Sequence, residues 1–277
     1  MDVNRAWEKL HMRLVEEQLL DPTAKTVAMP FITKVKWAAA LVVLCVCSGA
    51  IGLFYNAKTE SEPFFSIHNS DISNTLVKTL NDGSIVYLAG GATLTCPEQF
   101  AADMRYVGLN GEALFDVQTV ADYPFFIETD PVVIEVLGTK FVIKSTDKNL
   151  FELSVQHGLV KATLKATGAH IFVEAGETVR LNERQQLLKE PSTDSRQFAH
   201  YAEKMRFKDE RLENIVHVIS KMSDKSIGFS DHALKNRELT IAFINNTVEE
   251  MIALLCMVLE VKYIDDGEGY VIGGSEL

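Results

Sequence analysis

Glu112 and Asp116 are the residues whose types and spacing come closest to supporting acid–base chemistry. They would share one face of a strand, or lie just past a turn, and there they could act as a carboxylate pair. Stabilisation of the neighbouring turn also explains them, and we favour that interpretation. Glu249 and Glu250 are explained by the preference for negative charge at a helix N-terminus and predict no site.

Motifs for other chemistries are missing from the sequence. It contains no G-x-S-x-G, no phosphate-binding P-loop and no H-E-x-x-H. The seven histidines are scattered, and we expect His157, in a turn, and His217, on a helix, to be surface or turn residues rather than metal ligands. The sequence therefore predicts no catalytic residue, no metal, no cofactor and no enzyme activity.

Composition indicates a globular protein that is not built to bind nucleic acid. The chain has 277 residues, of which 47% are hydrophobic, and a formal net charge of −11, which phosphates would repel. Cys45 and Cys47 lie in a long apolar run, so only Cys96 and Cys256 could form a disulfide in an oxidising compartment. Cys256 lies in an apolar helical stretch, and we expect it to be a plain buried thiol.

The long apolar run, Trp37–Tyr55, has 19 residues and no charged side chain. As a helix it would span roughly 28 Å, close to the ~30 Å hydrocarbon core of a bilayer, with an aromatic ring at each end. A buried core helix and a signal peptide are the alternatives, but the late start and the lack of a cleavage site favour a single transmembrane helix. The positive-inside rule places the N-terminus in the cytoplasm, because six basic residues precede the run: Arg5, Lys9, Arg13, Lys25, Lys34 and Lys36.

Residues 2–20 predict a helix with an apolar stripe made by Trp7, Leu10 and Leu14. So short a helix cannot bury that stripe alone, so it needs either a protein groove or a membrane face as partner. Its acidic residues weigh against an anionic lipid surface, and we favour a protein groove.

Residues 56–70 predict a polar stalk, and residues 71–182 predict a β domain. Two tight turns, at Asp82-Gly83-Ser84 and at Asn110-Gly111, predict hairpins. Many short strands with a turn about every ten residues predict a sandwich, a barrel or a rolled, solenoid-like sheet. The further predicted strands are Phe125–Glu128, Val132–Leu137, Lys140–Ser145, Phe151–Gln156, Leu159–Leu164, His170–Glu174 and Thr178–Leu181.

Residues 183–204 are polar and predict a linker, after which residues 205–274 predict a small α+β domain in the order βαββαββ. The apolar face of its first helix starts at Leu212, with Asp209 as the expected N-cap. Thr247 and Glu250 have the spacing of a capping box at the start of its second helix.

Several motifs together resemble the FecR family, the ferric-citrate-type transmembrane anti-sigma regulators. They are LNDGSIVYL, ATLTCPEQF, RYVGLNGEALFDV, PFFIET, VIEVLGTKFVI and VQHGLVKATL, and they cover about residues 70–182. The C-terminal domain is similar to the short N-terminal fold of secretins and TonB receptors, and AWEKLHMRL resembles the family's cytoplasmic segment. The chain departs from the family pattern at Val142, where an Asn is usual, and at Cys96, where an aromatic residue is usual.

The resemblance implies partners on both sides of an inner membrane. Residues 1–36 would bind a cytoplasmic extracytoplasmic-function sigma factor through Trp7, Leu10 and Leu14. The periplasmic part would receive a signal from an outer-membrane TonB-dependent receptor. The family-motif residues expected to form structural turns are Asp82, Gly83, Ser84, Gly111, Glu112, Gly138 and Thr139.

Two other functions are compatible with this layout. One is a membrane-anchored periplasmic enzyme or carbohydrate-binding β domain, and the other is a scaffold in a secretion or pilus machine. The apolar stripe of Trp7, Leu10 and Leu14 argues against both, because a simple membrane anchor does not need it.

Overall fold

The computed structural model describes residues 64–147, 149–192 and 195–273, and Met12 alone before them. From Phe64 onward these residues belong to one compact unit, Glu62–Leu277. Apart from Met12, the predicted N-terminal helix lies outside the described residues, and so does the predicted span Trp37–Tyr55. Within the described part of the chain, no helix is long and apolar enough to cross a membrane.

Residues 64–147 and 149–192, here the β module, form thirteen strands. Three predicted strands have the observed bounds, Phe125–Glu128, Leu159–Leu164 and His170–Glu174, and the four others listed with them differ at their ends by up to two residues. The strands are β1 Phe64–His68, β2 Thr75–Thr79, β3 Ile85–Leu88, β4 Thr93–Pro97, β5 Arg105–Asp116, β6 Phe125–Glu128, β7 Val132–Val136, β8 Lys140–Asp147, β9 Leu150–His157, β10 Leu159–Leu164, β11 His170–Glu174, β12 Glu177–Leu181 and β13 Leu187–Pro191.

Sequence reasoning missed three of these strands. The predicted stalk contains β1, which pairs with β4, and β4 was not predicted either. The predicted linker contains β13, which pairs with β12. Strands β1 and β13 are largely exposed and lack the alternation that identifies a strand, whereas β4 does alternate, with Leu94 and Cys96 buried.

The predicted hairpin at Asn110-Gly111 is wrong, because β5 runs through it as one continuous strand. Residues 105–110 pair with β4 and β6, and residues 111–116 pair with β3 and β8. Gly111 lies where the strand passes between the two sets of partners, with φ of +111°, and a Cβ there would lie 2.7 Å from Ala92 Cα. Glycine is therefore required by backbone conformation and by close approach, not by a turn.

The β module is two sheets that share β5. One sheet has the order β1-β4-β5-β6-β7-β10-β11, and the other has β13-β12-β9-β8-β5-β3-β2. Inward residues of both sheets form a single apolar core, for example Val107 and Ile134 from the first sheet and Phe141 and Leu153 from the second. The path of paired strands does not close into a barrel over the described residues. The predicted mainly β fold is confirmed.

The described residues from 195 to 273, here the C-terminal module, have the predicted order βαββαββ after a short helical lead-in. The lead-in is a 3₁₀ turn, Ser195–Phe198, and helix α1, His200–Glu203. A second 3₁₀ turn, His232–Asn236, lies between β15 and β16. The elements are β14 Lys204–Arg211, α2 Leu212–Ser220, β15 Ser226–Phe229, β16 Glu238–Ile244, α3 Val248–Leu259, β17 Tyr263–Asp265 and β18 Gly269–Ile272.

The two helices of this module begin in different ways. The Thr247–Glu250 capping box at the start of α3 is confirmed, with both reciprocal bonds present. Asp209 is not the N-cap of α2, since Arg211 occupies that position. Asp209 lies in a bulge of β14 with φ of +46°, where its carboxylate accepts a hydrogen bond from the Thr240 hydroxyl.

The two modules share a sheet and a core. Strand β14 pairs in parallel with β2 and antiparallel with β16, so the second sheet continues into the C-terminal module. Strand β3 is buried on both faces: Val86 and Leu88 face the core of the β module, whereas Ile85 and Tyr87 pack with the helices of the C-terminal module. The second sheet therefore separates two apolar cores: one lies within the β module, and the other is shared by both modules.

Candidate functional site: a buried arginine and the junction of the modules

The Asp82-Gly83-Ser84 turn joins β2 to β3, as predicted. The Leu80 amide donates to the Ser84 carbonyl at 2.8 Å, and Gly83 has φ of +84°, a conformation that glycine adopts without steric cost. Asp82 Oδ1 accepts from the Ser84 amide at 3.0 Å, and its Oδ2 accepts from the Ser84 hydroxyl at 2.6 Å. The turn thus holds a carboxylate oxygen in a fixed position at the end of the β2–β3 hairpin.

That carboxylate receives Arg105, whose side chain is fully buried (0% exposed). Arg105 Nη1 donates to Asp82 Oδ2 and to the Gln118 carbonyl, both at 2.8 Å. Its Nη2 donates to the carbonyls of Tyr123 (2.7 Å) and Leu137 (3.1 Å), and its Nε donates to Tyr123 at 3.1 Å. All five guanidinium N–H groups therefore have an acceptor, which is what makes burial of this charge tolerable.

Two further motif residues, Gly138 and Thr139, lie against the loop that follows β5. The Thr139 carbonyl accepts from the Val117 amide at 2.9 Å, and a Cβ on Gly138 would lie 1.9 Å from Thr119 Oγ1. The Ser84 hydroxyl accepts from the Gln118 amide at 3.0 Å. The family motifs around Asp82 and Gly138, distant in sequence, thus converge on one structural centre organised by Arg105.

Glu112 belongs to a different place, the junction of the modules. Its Oε1 accepts a 2.5 Å hydrogen bond from the hydroxyl of Tyr201, a fully buried residue of α1. Burial, reinforced by this bond to a carboxylate, raises the pKa of Tyr201 well above its usual range. Asp116 instead pairs with Lys140, whose Nζ lies 3.6 Å from Asp116 Oδ2. The two carboxylates first considered as a pair therefore have separate structural partners.

A second polar contact crosses the same junction. Glu210 of β14 is 2% exposed, and its Oε2 lies 2.7 Å from Lys78 Nζ of β2. The Asn214 amide donates to the other carboxylate oxygen at 2.6 Å. A buried carboxylate of the C-terminal module thus takes its counter-charge from the β module, which makes the pair specific to the docked arrangement.

The two described cysteines, Cys96 and Cys256, do not form a disulfide or belong to a metal site. Cys96 and Cys256 are both buried and free, so no disulfide joins them, and the predicted buried thiol at Cys256 is confirmed. Burial raises the pKa of Cys96 to about 11, so this thiol does not form a thiolate near neutral pH. Over the residues that the structure describes, no three His, Cys, Asp or Glu side chains come together in a way that could hold a metal ion.

Sequence reasoning missed Arg105, Tyr201 and the Lys78–Glu210 pair. A signal for Arg105 was present in the sequence, because it alternates with Val107 and Leu109 on the buried face of the same strand. A charged residue at such a position indicates a buried, fully paired group. Trp7, Leu10 and Leu14, the expected sigma-factor contacts, lie outside the described residues.

Two family models match the chain, one over each module. The model described as "FecR protein" matches residues 67–161, which hold the Arg105 centre. The model described as "FecR, C-terminal" matches residues 204–272. This chain belongs to the FecR family.

Among curated proteins, none matches the chain. Two crystal structures of candidate anti-sigma factors from Parabacteroides distasonis ATCC 8503 are similar to it. Each is 20% identical and covers 77% of this chain and 100% of its own, with TM-scores of 0.47 and 0.45.

Proposed function

We propose that this FecR-family protein is a single-pass inner-membrane anti-sigma factor. Residues 1–36 hold an extracytoplasmic-function sigma factor in the cytoplasm through Trp7, Leu10 and Leu14. Trp37–Tyr55 crosses the membrane, and the two modules lie in the periplasm. There they receive a signal from the signalling domain of a TonB-dependent outer-membrane receptor.

The observation that carries the proposal is the succession of the two family matches along one chain, 67–161 and then 204–272. The charge pattern of the flanks and the apolar run supply the topology. The net charge of −11 supports protein partners rather than nucleic acid.

The junction supports a role in transmission. Because the modules share a sheet and an apolar core, a contact made on the C-terminal module acts on the β module as well.

The test is a pull-down of the sigma factor encoded beside this chain with the full-length protein. Trp7→Ala with Leu10→Ala should weaken binding more than tenfold, because buried aromatic and aliphatic anchors commonly contribute ~2 kcal/mol or more. Glu8→Ala with Lys9→Ala is the matched control and should bind almost as wild type, because solvated rim charges contribute little. Equal retention of the sigma factor by both double variants would refute this contact.

A further inference from the structure

Helix α3 of the C-terminal module has more apolar surface than its own module covers. Nine consecutive residues, Met251–Leu259, are apolar, which on a helix places apolar side chains on every face. Five of them are buried in the module: Met251, Ile252, Leu255, Cys256 and Leu259.

The rest of the run forms a stripe on the outer face of α3. Leu254, Met257 and Val258 have the i, i+3, i+4 spacing of neighbours on one helix face. Met257 is 73% exposed and Val258 52% exposed, while Leu254 is half-buried. A helix that is apolar on all faces is normally buried on all faces, so this stripe predicts a cover.

The charge around the stripe restricts what can cover it. Glu250 lies one turn before Leu254, and Glu260 lies one turn after Met257, and both are exposed. The whole stretch 245–273 carries six acidic residues and one basic residue. An anionic lipid surface would be repelled. A second copy docking through the same face would place these acids against their own counterparts.

We propose that the outer face of α3 is a docking surface for a folded protein domain that presents an apolar anchor bordered by lysine and arginine. The inference rests on the proposed function, in which that domain is the periplasmic signalling domain of the receptor. Leu254, Met257 and Val258 supply the apolar centre, and Glu250 and Glu260 supply the rim that steers the partner.

The test measures binding of the purified signalling domain, from the TonB-dependent receptor encoded beside this chain, to the full-length protein in nanodiscs. Met257→Gln with Val258→Gln replaces two residues of the apolar centre by glutamine, which favours a helix. This variant should weaken binding at least tenfold. Ile244→Gln is the matched control, because it changes another exposed apolar residue of the same module, on the edge strand β16. It should bind as wild type.

Raising the salt concentration should weaken wild-type binding, because the rim charges are exposed. A binding affinity that does not change with salt concentration would refute a partner surface bordered by lysine and arginine. If Ile244→Gln loses binding and the α3 variant keeps it, the sheet edge is the docking surface and the proposal is refuted. If sedimentation finds a wild-type dimer that the α3 variant abolishes, the occupant is a second copy, and the proposal is again refuted.

These outcomes separate the inference from the function on which it rests. Equal binding by wild type and the α3 variant refutes the docking surface and leaves the receptor relay standing. If the wild-type protein does not bind the signalling domain, the receptor is not its periplasmic partner. The proposed occupant of α3 is then refuted as well.

Discussion

The β module and the C-terminal module differ in how they use buried polar groups. Among the described residues, ten polar or charged side chains are buried, and nine of them lie in the β module. The tenth is Glu210, whose counter-charge comes from the β module. Stacked sheets joined by long loops need directional bonds to hold turns in place, whereas the C-terminal module is held by helices packed on strands. Buried polar side chains are therefore structural within the β module, whereas the buried carboxylate of the C-terminal module is specific to its docking on the β module.

The Arg105 centre should show the largest effect. Arg105→Met removes the charge, and the Asp82 carboxylate and the carbonyls of Gln118, Tyr123 and Leu137 lose the donors that Arg105 supplies to them. We expect the free energy of unfolding to fall by about 3–5 kcal/mol, measured by urea denaturation.

Arg180→Met is the control for the loss of an ion-paired arginine. The Arg180 side chain is 51% exposed and pairs with Glu152 and Glu190 at the surface. Its removal should cost less than about 1 kcal/mol. Similar losses in the two variants would contradict a special role for the buried centre.

The junction should show an intermediate effect. Tyr201→Phe removes the hydroxyl that donates to Glu112, while the carboxylate, at the edge of the junction, can still be solvated. We expect a loss of about 1–2 kcal/mol. Tyr123→Phe, which deletes an exposed hydroxyl bonded to the Ala101 carbonyl, should cost less.

The two buried thiols report which module opens. Peptide mass spectrometry after thiol labelling should find Cys256 labelled faster in Tyr201→Phe, with Cys96 still protected. Equal acceleration at both cysteines would mean that the junction does not stabilise the C-terminal module separately.

The capping box of α3 should show the smallest effect, and one that depends on pH. The hydrogen bond that the Thr247 backbone amide donates to the Glu250 carboxylate lowers the pKa of Glu250 below its ordinary value of 4.5. Its ionised form therefore contributes stability that is present above pH 4.5 and is lost as the pH falls through the lowered native pKa.

Glu250→Gln keeps the capping geometry but not the charge. The difference in free energy of unfolding from wild type should be larger at pH 7 than at pH 3. Glu249→Gln, in the same helical turn but outside the capping box, is the control. A difference that does not change with pH would contradict a role for the ionised carboxylate.

The sequence by itself determined the elements that local chemistry controls. The Asp82-Gly83-Ser84 turn, most strand positions, the capping box and the order βαββαββ were predictable because each depends on residues close together along the chain. The four consecutive apolar residues of β3 also indicated burial on both faces, because a strand with one solvent-exposed face alternates apolar and polar residues.

Only the tertiary structure decided the rest, because it depends on contacts between distant residues. Asn110-Gly111 has the sequence of a turn, yet Ala92 lies against Gly111 and the strand continues into a second sheet. Asp209 has the type of an N-cap, yet Thr240 on the neighbouring strand holds it in a bulge. Arg105 finds its acceptors on three segments of the chain, and no local pattern could bring them together.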